Sequence, residues 1–175
     1  MTLNLRNLDD LTRKYMLEEL SLDIKKNKLC LGKYLSEVGK SDYPILLRSA
    51  MENGDIASLA ESLKNNERLE SHVMCSRSKP GMKKVPKNAS EMLAEGEFNR
   101  FYIRAKCRRA IDESVMVIAY RARESRNPRM ESLALEGKEF DPTELLTALR
   151  NSIGVEAGLG LPPGPNSGMS VDLAK

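Results

Sequence analysis

"AEGEFNRFYIRAKCRRAIDE", residues 94–113, decides how the chain is read. Ala94, Phe98, Phe101, Ala105 and Ile111, with Leu93 just upstream, recur at helical spacing and can share a buried side. Ile103, Cys107 and Ala110 widen that side. Asn88 or Ser90 can cap the helix and Glu91 suits its first turn. One helix is therefore expected from near Asn88 to Asp112 or Glu113, interrupted at most by Gly96. The same stretch sets Arg100, Arg104 and Arg108 four apart, on one helix face, bracketed by Lys106 and Arg109. Like charges at that spacing repel, so they call for carboxylate neighbours or an anionic ligand. Glu97 and Asp112 bracket the stripe as ion-pair partners, but Arg104 has no acidic residue four positions away on either side.

Downstream, "VMVIAYRAR" (115–123) is dense in β-branched residues and too short for a buried helix, which predicts a strand. Arg121 and Arg123 alternate on it and share a face, and Arg126 and Arg129 sit in the next turn. A strand packed on the helix would bring the two arginine sets together as an anion site, because guanidinium groups bind phosphate and carboxylate bidentately. The competing reading is a solvated face whose charges pair within the chain. Phe98, Phe101, Tyr102 and Tyr120 interleave with the arginines. Stacking beside cations suits single-stranded nucleic acid, although the two phenylalanines are expected to be core. Asn127–Pro128 marks a turn, followed by at most one helical turn. Asp141 caps "PTELLTALRNSI", with Pro142 at the first helical position and Gly154 just past the end. "MSVDLA" (169–174) is expected to pair with "MVIAY" (116–120).

Upstream, residues 1–66 read as helical. "NLDDLTRKYMLEELSLDIKKN" (7–27) has near-helical apolar spacing, with Asp9 and Asp10 at its start and lysines at its end. "LCLGKYLSEVGKSD" (29–42) reads as a connection or a short broken helix. Ser41 or Asp42 then caps a helix with Pro44 in its first turn. Gly54 ends that helix and Asp55 caps "IASLAESLKNN" (56–66). The Ala50 and Gly54 spacing resembles a helix-turn-helix, but the second helix opens on Glu61 before any lysine, so a packed hairpin is the better reading. Residues 67–87 break the periodicity with Pro80, Gly81 and Pro86 and carry Lys79, Lys83, Lys84 and Lys87. They read as a basic linker, or an arm that orders on binding. The expected fold class is α+β: a helical domain over 1–66, that linker, and a small α+β domain over 88–175 with a Gly/Pro-rich tail.

Composition narrows the function. The chain has 175 residues, 41% hydrophobic and 30% charged, with a net charge of +3. From Ser71 to Arg129 there are 14 Lys and Arg against 6 Asp and Glu; elsewhere acids exceed bases. Such asymmetry points to nucleic acid, an acidic membrane surface or an acidic protein. No long apolar run or secretory segment is present, so no membrane partner is expected. Cys30, Cys75 and Cys107 are unpaired in spacing, favouring reduced thiols and a cytoplasmic setting. His72 is the sole histidine; nothing orients it towards Cys75, and no zinc spacing exists. The tail "GLGLPPGPNSG" (158–168) lacks a Walker lysine. Glu95 and Glu97 look like surface charges. No cofactor is expected.

The segments "MLAEGEFNRFYIRAKCRRAI", "AYRARESRNPRMES" and "LGLPPGPNSGMSVDL" resemble small proteins encoded by tailed phages and prophages among head-assembly genes. The resemblance covers about residues 86–173, with "EGEFNRFY", "NPRMES" and "GPNSG" as landmarks. It implies a virion or assembly role, in a virion or the cytoplasm of a bacterial host, and supplies no catalytic residue. The expectation is a non-enzymatic protein that presents an arginine-rich face (Arg100, Arg104, Arg108, Arg121, Arg123, Arg126, Arg129) to nucleic acid or an acidic protein. Its partner is foremost a protein, with self-association left open. The alternative is a small nuclease or phosphate-transfer enzyme that holds its substrate with those arginines.

Overall fold

The computed structural model describes residues 3–74, 81–125, 127–154, 157–161 and 167–174. Helix α1 (Asp10–Lys25) starts where the Asp9 side chain accepts from the Thr12 amide. Helix α2 (Glu37–Asn53) starts earlier than its sequence suggests: Ser36 caps it, and Pro44 lies inside the helix rather than in its first turn. The reason is tertiary. Ser36 N donates to Arg68 O, and Gly39 packs so closely on Arg68 that an added Cβ would lie 2.0 Å from its carbonyl oxygen. Helix α3 (Ile56–Lys64) has the expected start, a reciprocal capping box between Asp55 and Ser58.

A two-stranded ribbon follows, β1 (His72–Met74) and β2 (Met82–Lys84), paired antiparallel with Val73 opposite Lys83. Part of the expected linker is thus paired strand. Helix α4 (Ala89–Glu113) matches the expected span and ends on Ser114 in the left-handed conformation. Next come β3 (Val117–Arg121), α5 (Met130–Leu135), β4 (Glu139–Phe140), α6 (Pro142–Asn151) and β5 (Met169–Leu173). Asp141 caps α6 through the amides of Thr143 and Glu144, with Pro142 in its first turn. The sheet order is β4-β3-β5, all antiparallel, and Ala119 faces Val171: the segment 169–174 pairs with 116–120 as anticipated, over Met169–Leu173 and Val117–Arg121. The fold class is α+β.

Helix α4 is the axis of the molecule. It packs against α1 and α3 on one side and against α6, β5 and β3 on the other. Phe98, Phe101, Tyr102 and Ile103 are buried on it, whereas Ile111 is exposed. One continuous apolar cluster runs from Leu3 and Met16 through Phe98 to Leu149 and Val171, so the helical first half and the α+β second half share a core. Buried Asn99 ties α4 to β5: its amide donates to Met169 O and its carbonyl accepts from Ser170 Oγ. The leading segment runs back along the sheet, with Asn4 N donating to Ala122 O and Tyr120 Oη donating to Asn4 O.

The start of α2 depends on a residue without a side chain. Gly39→Ala is expected to cost about 1–3 kcal/mol, because a backbone carbonyl cannot yield as a flexible side chain would. Urea unfolding of the two proteins at equal concentration measures this, and an unchanged midpoint would refute the account.

Candidate functional site

The arginine stripe of α4 faces inward. Glu19, in the middle of α1, is fully buried. Its carboxylate accepts from Arg104 Nε at 2.9 Å and Nη2 at 2.7 Å, and from Arg150 Nε at 2.9 Å. Arg104 is 1% exposed, and it also grips Asp23 with both terminal nitrogens, at 2.6 and 2.9 Å. Arg108 reaches Glu18 at 2.6 Å and lies 3.7 Å from Glu19, with its guanidinium 4.1 Å from the Tyr15 ring centre. The acid that Arg104 lacks along its own helix is thus supplied by α1, more than 80 residues earlier.

Arg100 has a different task. It is buried, and its terminal nitrogens donate to the carbonyl oxygens of Leu149 (2.6 Å), Ser152 (2.7 Å) and Gly154 (2.8 Å). These acceptors lie at and just beyond the C-terminal end of α6, where carbonyls have no partner within the helix. Lys106 is buried with its Nζ 2.6 Å from Asp172 on β5. Arg109 donates to Asp9 and Thr12. Asp112, expected beside Arg108, accepts instead from the Tyr15 hydroxyl.

The second arginine set is not gathered with the first. Arg121 donates to Glu136 at 3.0 Å, and Arg123 pairs with Glu95. Arg129 is exposed at the start of α5. Arg126 and Lys79 lie outside the described residues. Glu95 and Glu97 are buried, which corrects the reading of them as surface charges. Lys83, Lys84 and Lys87 are exposed, with no ion pair among the described residues.

What remains outside is the ribbon. It is anchored at its base, where Glu70 N donates to Tyr34 O and Val85 N to Ser71 O. Register places His72 and Lys84, then Met74 and Met82, on one face. Met74 is 72% exposed and Met82 is 62% exposed. No further strand pairs with either edge among the described residues. Sequence reasoning located these cations but not the strands, since three-residue strands carry too little alternation to read.

Catalytic features are sparse. His72 sits exposed on β1 beside Ser71, while Cys75 lies outside the described residues. Burial pushes the thiols of Cys30 and Cys107 up, away from the reactive thiolate. Among the described residues no group of three His, Cys, Asp or Glu could hold a metal ion, and no helix is long and apolar enough to cross a membrane. No family model, curated protein or solved structure matches the chain.

Breaking the Glu19 cluster from one side strands a buried charge. Arg104→Ala is expected to destabilise by about 3–5 kcal/mol, and Arg104→Met combined with Glu19→Leu by less than the two single changes together. Chemical unfolding of the unmodified protein, Arg104→Ala, the two single changes and the double variant checks both statements.

The pH profile of stability follows from two glutamates. Burial raises the Glu19 carboxyl, but the hydrogen bonds and charges of Arg150 and Arg104 outweigh it and hold the value below 4.5. Its contribution is present above pH 4.5 and lost as pH falls further. Burial pushes Glu97 up to about 7 against the pull of Arg100. Its contribution is present below pH 4.5 and lost as pH rises through about 7. Stability should peak near pH 4.5 and decline from there towards pH 7. Glu97→Gln should flatten the decline on the neutral side while leaving the acid side unchanged, as read by thermal unfolding from pH 3 to about 8.

Proposed function

We propose that the chain is a non-enzymatic protein of the phage or prophage assembly type. It engages an acidic protein surface through the β1–β2 ribbon rather than through an arginine face on α4. The observation that carries this reading is the ribbon's exposed pairing of Met74 and Met82 on the face that also bears Lys84, with Lys83 on the opposite face. An isolated two-stranded ribbon is marginal in water and gains from a partner. Exposed methionines suit a protein interface, since they adapt to the opposing surface. Between Ser71 and Ser90 the sequence has no Asp or Glu, so the ribbon complements an acidic face. The resemblance of residues 86–173 to phage proteins encoded among head-assembly genes supports an assembly setting, in the virion or the host cytoplasm.

The enzymatic alternative draws no support from the stripe on α4. A phosphate-holding site needs free guanidinium donors, and those of Arg104 are occupied by Glu19 and Asp23.

Co-expression with the products of neighbouring genes tests the proposal. A stoichiometric complex is expected, weakened at least tenfold by the double change Lys83→Glu and Lys84→Glu. The melting temperature should barely move, since both positions are surface sites. A complex indifferent to this change would overturn the reading. Oligonucleotide affinity that falls steeply with salt and depends on the same lysines would reassign the ribbon to nucleic acid.

A further inference from the structure

A cavity of about 360 Å³ opens between the α1–α2 connection, the first half of α4 and the residues after α6. Its walls are apolar, formed by Tyr34, Met92, Leu93 and Ile153 among others. On its wall lies Glu97, 4% exposed and the sole carboxylate among the described lining residues. The only cation among the described lining residues, Lys33, is exposed, its ammonium 4.9 Å from the Tyr34 ring centre. The size lies within the usual range of small-molecule sites, which pair apolar walls with a few fixed polar groups.

Two further observations set this cavity apart from loose packing. Gly96 stands on its wall, in the interior of α4, where glycine weakens a helix relative to alanine. No close approach demands it: a Cβ there would meet nothing within 4 Å. The missing side chain leaves the space beside Glu97 open. The second lies behind the lining: the Tyr43 hydroxyl, not itself a wall of the cavity, is fully buried with no hydrogen-bond partner among the described residues, and the charge of Glu97 acts on it. A polar group left in that condition marks a place where the fold alone does not complete the bonding.

We infer that this cavity is a binding site for a small organic amine, its apolar body between Met92, Leu93 and Ile153 and its ammonium against the Glu97 carboxylate. The sign of the charge comes from the walls. Glu97 is the only carboxylate among the described lining residues, and an ammonium supplies the donors that an ionised carboxylate accepts. The charged and titratable groups acting on Glu97 are Cys30 from the α1–α2 connection, Asp23 from α1, Tyr43 from α2, and Arg100 and Arg104 from α4. Burial pushes the carboxyl up to about 7, so it is ionised in mildly alkaline solution. The site is independent of the ribbon, and its loss would leave the proposed assembly contact intact.

Calorimetric titration of the whole protein with 2-phenylethylamine and with its neutral counterpart 2-phenylethanol, at pH near 8, tests the assignment. The amine should bind at least tenfold more tightly than the alcohol. Glu97→Gln should abolish that preference, and Gly96→Met should block both ligands by filling the cavity. Gly96→Ala serves as the folding control and should retain binding. Equal affinity for amine and alcohol, or amine binding that survives both Glu97→Gln and Gly96→Met, would overturn the inference. So would the absence of any binding by the unmodified protein.

Discussion

A single carboxylate, Glu19, organises the charged interior. A fully buried glutamate is unfavourable unless opposite charge and hydrogen bonds replace its water. Here Arg104 from α4 and Arg150 from α6 both donate to it, and Arg108 stands 3.7 Å away. Helices α1, α4 and α6 are thereby joined at one point, across 131 residues of sequence. Two arginines of the stripe that would suit a phosphate ligand, Arg104 and Arg108, are drawn to this centre, and the third, Arg100, closes the end of α6. The like-charge repulsion along α4, which raised the question of a ligand, is relieved by α1.

Several arginines share a second duty. Arg13 donates to Met51 O and Gly54 O at the end of α2, Arg68 to Ser62 O near the end of α3, and Arg100 to the carbonyls that close α6. Each guanidinium satisfies carbonyls that the helix itself cannot, at the end where the helix dipole favours a cation. The uneven charge along the sequence takes on a different meaning in this light. Much of the basic excess of residues 71–129 faces the acids of α1, as Arg104, Arg108 and Arg109 meet Glu19, Asp23, Glu18 and Asp9. The ribbon lysines have no such counterpart among the described residues, so the excess that remains exposed is displaced from α4 to the ribbon.

What could be read from the sequence was what local chemistry determines. The span of α4, the Asp55 and Asp141 caps, Pro142 at the first position of α6 and the pairing of β3 with β5 all rest on propensity, capping or alternation within a few residues. The early start of α2 did not, because Gly39 is needed by the approach of Arg68 and not by its own helix. The partners of Arg104 and Arg100 lie 85 and about 50 residues away, beyond any spacing rule. Ile111 was expected inside by periodicity and lies outside, since α4 is wrapped on most sides along its middle but not at its C-terminal turn. The cavity gave one local signal, a glycine inside a strong helical pattern, and only the surrounding space shows what that glycine leaves open.

The buried charges of α4 also explain why this helix sits in one orientation. Its apolar residues are spread around much of the circumference, so hydrophobic burial alone would tolerate other rotations about its axis. Its polar residues would not. Arg104 must meet α1, Arg100 must reach the end of α6, Asn99 must bond β5, and Lys106 must approach Asp172. The constraints point in two directions, Arg100 and Arg104 on one face of the helix and Asn99 and Lys106 about a third of a turn away, facing β5. Turning the helix by a single residue, about 100°, would break all four and leave Glu19 buried against apolar carbon. A buried ion pair is weak evidence for stability, because well-packed apolar residues can do as well. In this helix the pairs contribute specificity: they make the alternatives costly. The same fixed rotation sets Gly96 and Glu97 beside the cavity, and Glu97 lies on the same face of α4 as Arg104, two turns earlier, so the geometry of that site is inherited from the Glu19 centre.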